Sequence, residues 1–179
     1  MESKKVFISG RPGVGKTTVF LRVIDELRRR GYSIGGIICP EIRVRGRRIG
    51  FDIIDIASNR KGKLARLCEL VSNPYSLPRV GRYCVIVNEA EDVGVRALSN
   101  ALDGADVIGI DEVGPMELKV PKLKDLINRV LLSNKPLVAV VHRSLASAYA
   151  SRYKALLFWV NEHNRGYLHE RILKVFITP

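Results

Sequence analysis

The chain has 179 residues but no glutamine, one tryptophan, two methionines and three cysteines. Cys39, Cys68 and Cys84 are far apart and form no C-x-x-C pair. That excludes the usual zinc and dithiol motifs and gives no sign of a disulfide framework, so buried reduced thiols are expected. No apolar run approaches the ~20 residues that a membrane-spanning helix needs. Lys4 and Lys5 precede a short apolar stretch and not a secretion signal. A cytoplasmic protein without a membrane partner is therefore expected. Aromatic residues amount to 7% and form no ladder between the basic ones, which speaks against a base-stacking groove. Repeats, linkers and low-complexity tracts are also lacking, so residues 1–179 read as one domain, large enough for a proper core. The missing glutamine, beside abundant Arg, Lys, Ile and Val, suits a protein from a hot environment.

Acidic residues are scarce too: 18 against 30 Lys and Arg, a formal charge of +12. The basic clusters are Arg28-Arg29-Arg30, Arg43 to Arg48, Arg60 to Lys63, and Lys122 with Lys124. Nucleic acid can use such charge. Scattered clusters suit solvated helix faces and the steering of a polyanionic small molecule better, and nucleic acid is not the expected partner.

Against these absences stands one dense motif. Val6-Phe7-Ile8 leads into Gly10-Arg11-Pro12-Gly13-Val14-Gly15-Lys16-Thr17-Thr18, which fits the phosphate-binding loop G-x-x-x-x-G-K-[ST] between a strand and a helix. The glycines let backbone N–H groups curl around a phosphate, and the helix that follows adds its positive end. Lys16 reaches the β- and γ-phosphates and the Thr17 hydroxyl can ligate Mg²⁺. A glycine-rich turn that binds nothing would not need the strand, the Lys-Thr pair and the helix together.

Asp106 to Glu112 reads as a buried strand ending in two carboxylates, and ligands sit at the carboxyl ends of parallel strands. Asp111 is placed to hold Mg²⁺, and Glu112 to take a proton from attacking water. Leu137 to Val141 is another apolar strand, and it ends in His142-Arg143. If that strand lies between the other two, His142 faces the γ-phosphate as a hydrogen-bonding sensor.

The rest alternates strands and helices: an α/β chain, a P-loop NTPase fold with a mostly parallel sheet covered on both faces. Strands are expected at Lys5–Ser9, Ser33–Cys39, Tyr83–Val87, Asp106–Asp111, Leu137–Val141 and Ala155–Val160. Helices are expected at Thr17–Arg30, Lys63–Val71, Val93–Leu102, Lys122–Leu132 and Leu168–Val175, and a loop at Asn73–Gly81. Glu41 to Ile53 alternates around Gly46 and reads as an inserted β-hairpin beside the phosphate end.

Together, Gly10 to Thr18 and Asp111-Glu112-Val113-Gly114-Pro115-Met116-Glu117-Leu118 resemble the small P-loop nucleoside-triphosphatase family of thermophilic bacteria and archaea, to which the cancer-related nucleoside triphosphatase of animals belongs. Pro40-Glu41, Arg48-Ile49-Gly50-Phe51, Val141-His142-Arg143 and Asn164-Arg165 follow in the family's order. The resemblance implies a Mg²⁺-dependent hydrolase that slowly removes the γ-phosphate from several nucleoside triphosphates. Asn164 and Arg165 are then expected at the nucleotide, with Gly114 fixing the loop beside it. Gly166 departs from the family, which usually has an acidic residue there.

The expected mechanism is in-line attack of water, with Lys16, Glu112 and His142 catalytic and Thr17 and Asp111 holding Mg²⁺. Arg43, Arg48, Arg66 and Arg143 are candidates for an arginine finger. Two alternatives stay open: a nucleotide or nucleoside kinase with a hydroxyl or phosphate acceptor, and a nucleotide-switched RNA-binding module. The oligomeric state is left open, a monomer being one option.

Overall fold

The computed structural model describes residues 4–178. Five strands form its parallel core: β1 (Lys5–Gly10), β2 (Ile34–Ile38), β8 (Val107–Val113), β9 (Leu137–Val141) and β10 (Leu156–Val160). Their order is β10-β1-β9-β8-β2. β1, β8 and β9 are buried almost throughout, which is why their sequences are continuous apolar runs.

Successive side chains serve opposite faces. Phe7, Leu137, Ala139 and Val141 join the core under α2 (Val87–Gly104), α3 (Pro121–Leu132) and α4 (Ala146–Tyr153). Val6, Ile8, Val138 and Val140 join the core under α1 (Lys16–Arg29) and α5 (Leu168–Ile177). α1 docks through Val19, Phe20, Val23, Ile24 and Leu27, all spaced for one helical stripe, and the chain turns at Gly31. β9 does lie between β1 and β8, as the reading of His142 required.

The insertion is larger than one hairpin. β3 (Glu41–Val44) and β4 (Arg47–Asp55) form it, and β4 pairs antiparallel with β2, extending the main sheet. β5 (Lys61–Leu67), β7 (Tyr83–Val85) and β6 (Arg79–Val80) continue it as an antiparallel wing. The helix expected at Lys63–Val71 is therefore wrong: residues 61–67 are a central wing strand, paired with β4 and β7. Leu64 and Ala65 are fully buried there, and two-sided ladder pairing overrides local helix preference. α2 begins at Val87 instead of Val93, and α4 was not foreseen.

The expectation of three reduced thiols is also corrected. Cys68 and Cys84 form a disulfide with a Cα separation of 5.0 Å, and Cys39 is the free cysteine. Antiparallel pairing of β5 with β7 carries Cys68 to Cys84, a juxtaposition that 16 residues of sequence separation do not reveal. Among the described residues no helix is long and apolar enough to cross a membrane.

Candidate active site

The phosphate loop joins β1 to α1 at the carboxyl end of the parallel core. Gly13 and Gly15 have φ of 74° and 112°, so the loop's curl uses backbone that side-chain-bearing residues resist. The loop opens onto a cavity of about 650 Å³. Gly10, Pro12, Gly13, Gly15, Thr17 and Thr18 border it; Lys16, Asp111, Glu112 and His142 project from the same walls. Arg11 is exposed and Val14 turns onto the core beneath α1, so neither lines it.

Lys16 is folded back on its own loop, donating to the carbonyls of Gly10 (2.9 Å) and Arg11 (3.0 Å). Burial lowers its pKa, Glu112 and Asp111 oppose that, and Arg143 adds to it. The Thr17 hydroxyl donates to the Asp111 carboxylate, whose pKa burial raises to about 6. Glu112, one residue on, is raised to about 7 by burial and by its neighbour's charge, with Lys16 opposing. Both carboxylates belong to β8, which runs on to Val113, and the peptide between them is cis.

His142 follows β9. The Ser144 N–H donates to its Nδ1 at 3.3 Å, and the Ser144 hydroxyl lies 2.8 Å from the same nitrogen. A ring whose Nδ1 accepts carries its single proton on Nε2. Burial, Lys16 and Arg143 lower the imidazole pKa, which favours that neutral form. His142 is thus a fixed neutral donor on the cavity wall.

A model of the NTPase family matches residues 5–173. The chain belongs to that family. It is 44% identical over 169 residues to nucleoside-triphosphatase THEP1 of Pyrococcus abyssi (strain GE5 / Orsay), a match spanning 94% of this chain and 90% of that protein. The crystal structure of THEP1 from the hyperthermophile Aquifex aeolicus superposes with a TM-score of 0.78 at 30% identity, covering 97% of this chain and 99% of that one. The solution structure of a human cancer-related nucleoside triphosphatase gives a TM-score of 0.80 at 28% identity, covering 98% of each chain.

Three residues at the site were not among those singled out from the sequence: Glu117, Cys39 and Ser144, the last described above against His142. Glu117 is 5% exposed and sits beneath Glu112; burial and the Glu112 charge raise its pKa to about 8. Cys39 hydrogen-bonds its side chain, and burial pushes that thiol well above the usual thiol range. Gly114 lies between the two glutamates: a Cβ there would stand 2.6 Å from Glu112 Oε1 and 3.2 Å from Glu117 Oε2. Gly114 therefore makes room for both carboxyl groups and does not line the cavity. An acidic residue amid Met116 and Leu118 was the signal for Glu117; nothing local marked Cys39 or Ser144.

Asn164 and Arg165 part company. The Asn164 amide accepts from the Asn161 N–H (2.9 Å) and donates to the Trp159 carbonyl (2.8 Å). These bonds brace its own loop and use one of the two amide N–H groups and one lone pair of the oxygen. Arg165 does reach the phosphate loop: its Cδ would be 3.6 Å from a Cβ on Gly15, outside the cavity.

Proposed function

We propose that this chain hydrolyses nucleoside 5′-triphosphates to the diphosphate and phosphate, slowly, with Mg²⁺ and with broad base tolerance. One observation carries the reading: Lys16, Asp111, Glu112 and His142 converge on a single cavity bordered by a phosphate loop, in a chain of the NTPase family.

The donor set of the cavity fits Mg²⁺. The Thr17 hydroxyl and the Asp111 carboxylate meet directly, and such hard oxygen donors suit a small hard cation that keeps several waters. When bound, Mg²⁺ neutralises phosphate charge and acts as a Lewis acid.

The chain's own groups do the rest. Loop amides and the positive end of α1 hold the phosphates. Lys16 leaves the Gly10 and Arg11 carbonyls for the stronger charge of the β- and γ-oxygens. Glu112, raised to about 7, is poised near neutrality to accept the proton of the attacking water. His142 Nε2–H donates to the γ-phosphate. Arg165 offers a flat cation to the base, which attracts without hydrogen-bond reading. Strong discrimination between bases needs buried polar groups that the wrong base leaves unpaired.

Glu112→Gln tests the reading. It should retain nucleotide while phosphate release falls by about 10²–10⁴-fold. In the same malachite-green assay, wild-type kcat/KM for ATP, GTP, CTP and UTP should agree within about tenfold, or ~1.4 kcal/mol. Hydrolysis at wild-type speed by Glu112→Gln would mean that water is activated elsewhere.

A further inference from the structure

Four arginines were candidates for the cation that stabilises the transition state, and their surroundings separate them. Arg43 donates to Glu41 (2.8 Å) and to the Gly46 carbonyl (2.7 Å). Arg66 is largely buried and donates to the Phe51 and Ala65 carbonyls and to Asp52. Arg48 borders the cavity, but it donates to the Tyr83 hydroxyl (2.9 Å) and Glu41 (3.3 Å) and lies over the Phe51 ring. Each of these three holds the antiparallel wing together.

Arg143 combines a place at the cavity with an unengaged guanidinium. It lines the same cavity as Lys16, Glu112 and His142, and its guanidinium has no hydrogen bond or ion pair among the described residues. Its backbone is nevertheless fixed. The His142 N–H donates to the Val113 carbonyl (3.0 Å), and the His142 carbonyl accepts from Leu145 (2.9 Å) and Ala146 (3.1 Å), so residue 143 projects from a closed turn. Its charge bears on both Lys16 and His142, disfavouring a further positive charge on either. Two cationic side chains, Lys16 and Arg143, thus share one end of the cavity with the neutral His142, and their mutual repulsion falls when an anion joins them. Arg165, the other arginine beside the loop, lies across Gly15 and does not border the cavity.

We propose that Arg143 is a catalytic residue, an arginine finger supplied within the chain, whose guanidinium binds the γ-phosphoryl oxygens as the β–γ bond breaks. The inference rests on the triphosphatase reading above. In the step it serves, the water oxygen forms a bond to the γ-phosphorus and gives its proton to Glu112. The bond from that phosphorus to the bridging oxygen breaks, and the electron pair leaves with the diphosphate. A planar, always-charged guanidinium with two N–H edges matches the charge that builds on those oxygens, and a lysine does not. Fingers of this kind are worth about 10³–10⁵-fold in kcat.

The test compares wild type, Arg143→Ala and Arg143→Lys with ATP and Mg²⁺, and measures ADP affinity and trapping of ADP with aluminium fluoride. Arg143→Ala should lose about 10³-fold or more in kcat, keep its ADP affinity and fail to trap the aluminium fluoride complex. Millimolar guanidinium should restore part of its turnover, and Arg143→Lys should remain impaired. A fall in kcat well short of about 10³-fold, or a matching loss of ADP affinity, overturns the proposal. Wild type in the same plate keeps the two readings apart: no phosphate release from wild type would sink the hydrolase reading itself.

Discussion

Glu117→Gln should flatten the pH dependence of stability in the metal-free protein. Glu117 is buried beside Glu112, its side chain bonded to Cys39 and, among the described residues, with no basic partner, and burial and the Glu112 charge raise its carboxyl pKa from 4.5 to about 8. Because the folded value lies above the unfolded one, its stabilising contribution is complete below about pH 4.5 and is lost as pH rises through about 8. At ~1.4 kcal/mol per pH unit, that interval sets a ceiling of about 5 kcal/mol. Repulsion shared with Glu112 and incomplete ionisation at pH 9 reduce the working figure to about 3 kcal/mol. Urea unfolding in EDTA at pH 5 and pH 9 measures it. Wild type should lose stability between the two values, and Glu117→Gln, which keeps shape but has no charge to bury, should lose markedly less. Parallel losses in both proteins would show that Glu117 is ionised in the fold and that the burial account is wrong.

Two more outcomes follow from the geometry. His142→Ala should lower kcat by about 10²-fold, the worth of one preorganised donor of ~2–3 kcal/mol, while ADP affinity measured by calorimetry is unchanged; equal weakening of ATP and ADP would make the residue structural. The unreduced, denatured chain should show one thiol to a thiol reagent, that of Cys39. The Cys68→Ser/Cys84→Ser double variant should lose about 3 kcal/mol of unfolding free energy, the loop-closure contribution of a ring of this size, and three thiols in the wild-type chain would refute the bridge.

The phosphate loop, the Asp111-Glu112 pair and the parallel core were legible in the sequence because each is local. A glycine pattern fixes a loop, an unbroken apolar run fixes a doubly covered strand, and a 3–4-residue stripe fixes α1 and α3. The tertiary structure decided what depends on partners distant in sequence. Residues 61–67 became a strand because β4 and β7 flank them, and the same pairing closed the Cys68–Cys84 bridge. Glu117 and Cys39 joined the site because Cys39, just past the end of β2, lies against the turn after β8, where their side chains meet beside Asp111 and Glu112. Strand order placed His142 on the cavity wall, and a turn closed by Ser144 set its tautomer. The folded loop also decided how Asn164 is held: its amide oxygen accepts from the Asn161 N–H and its amide N–H donates to the Trp159 carbonyl, partners that local sequence does not reveal.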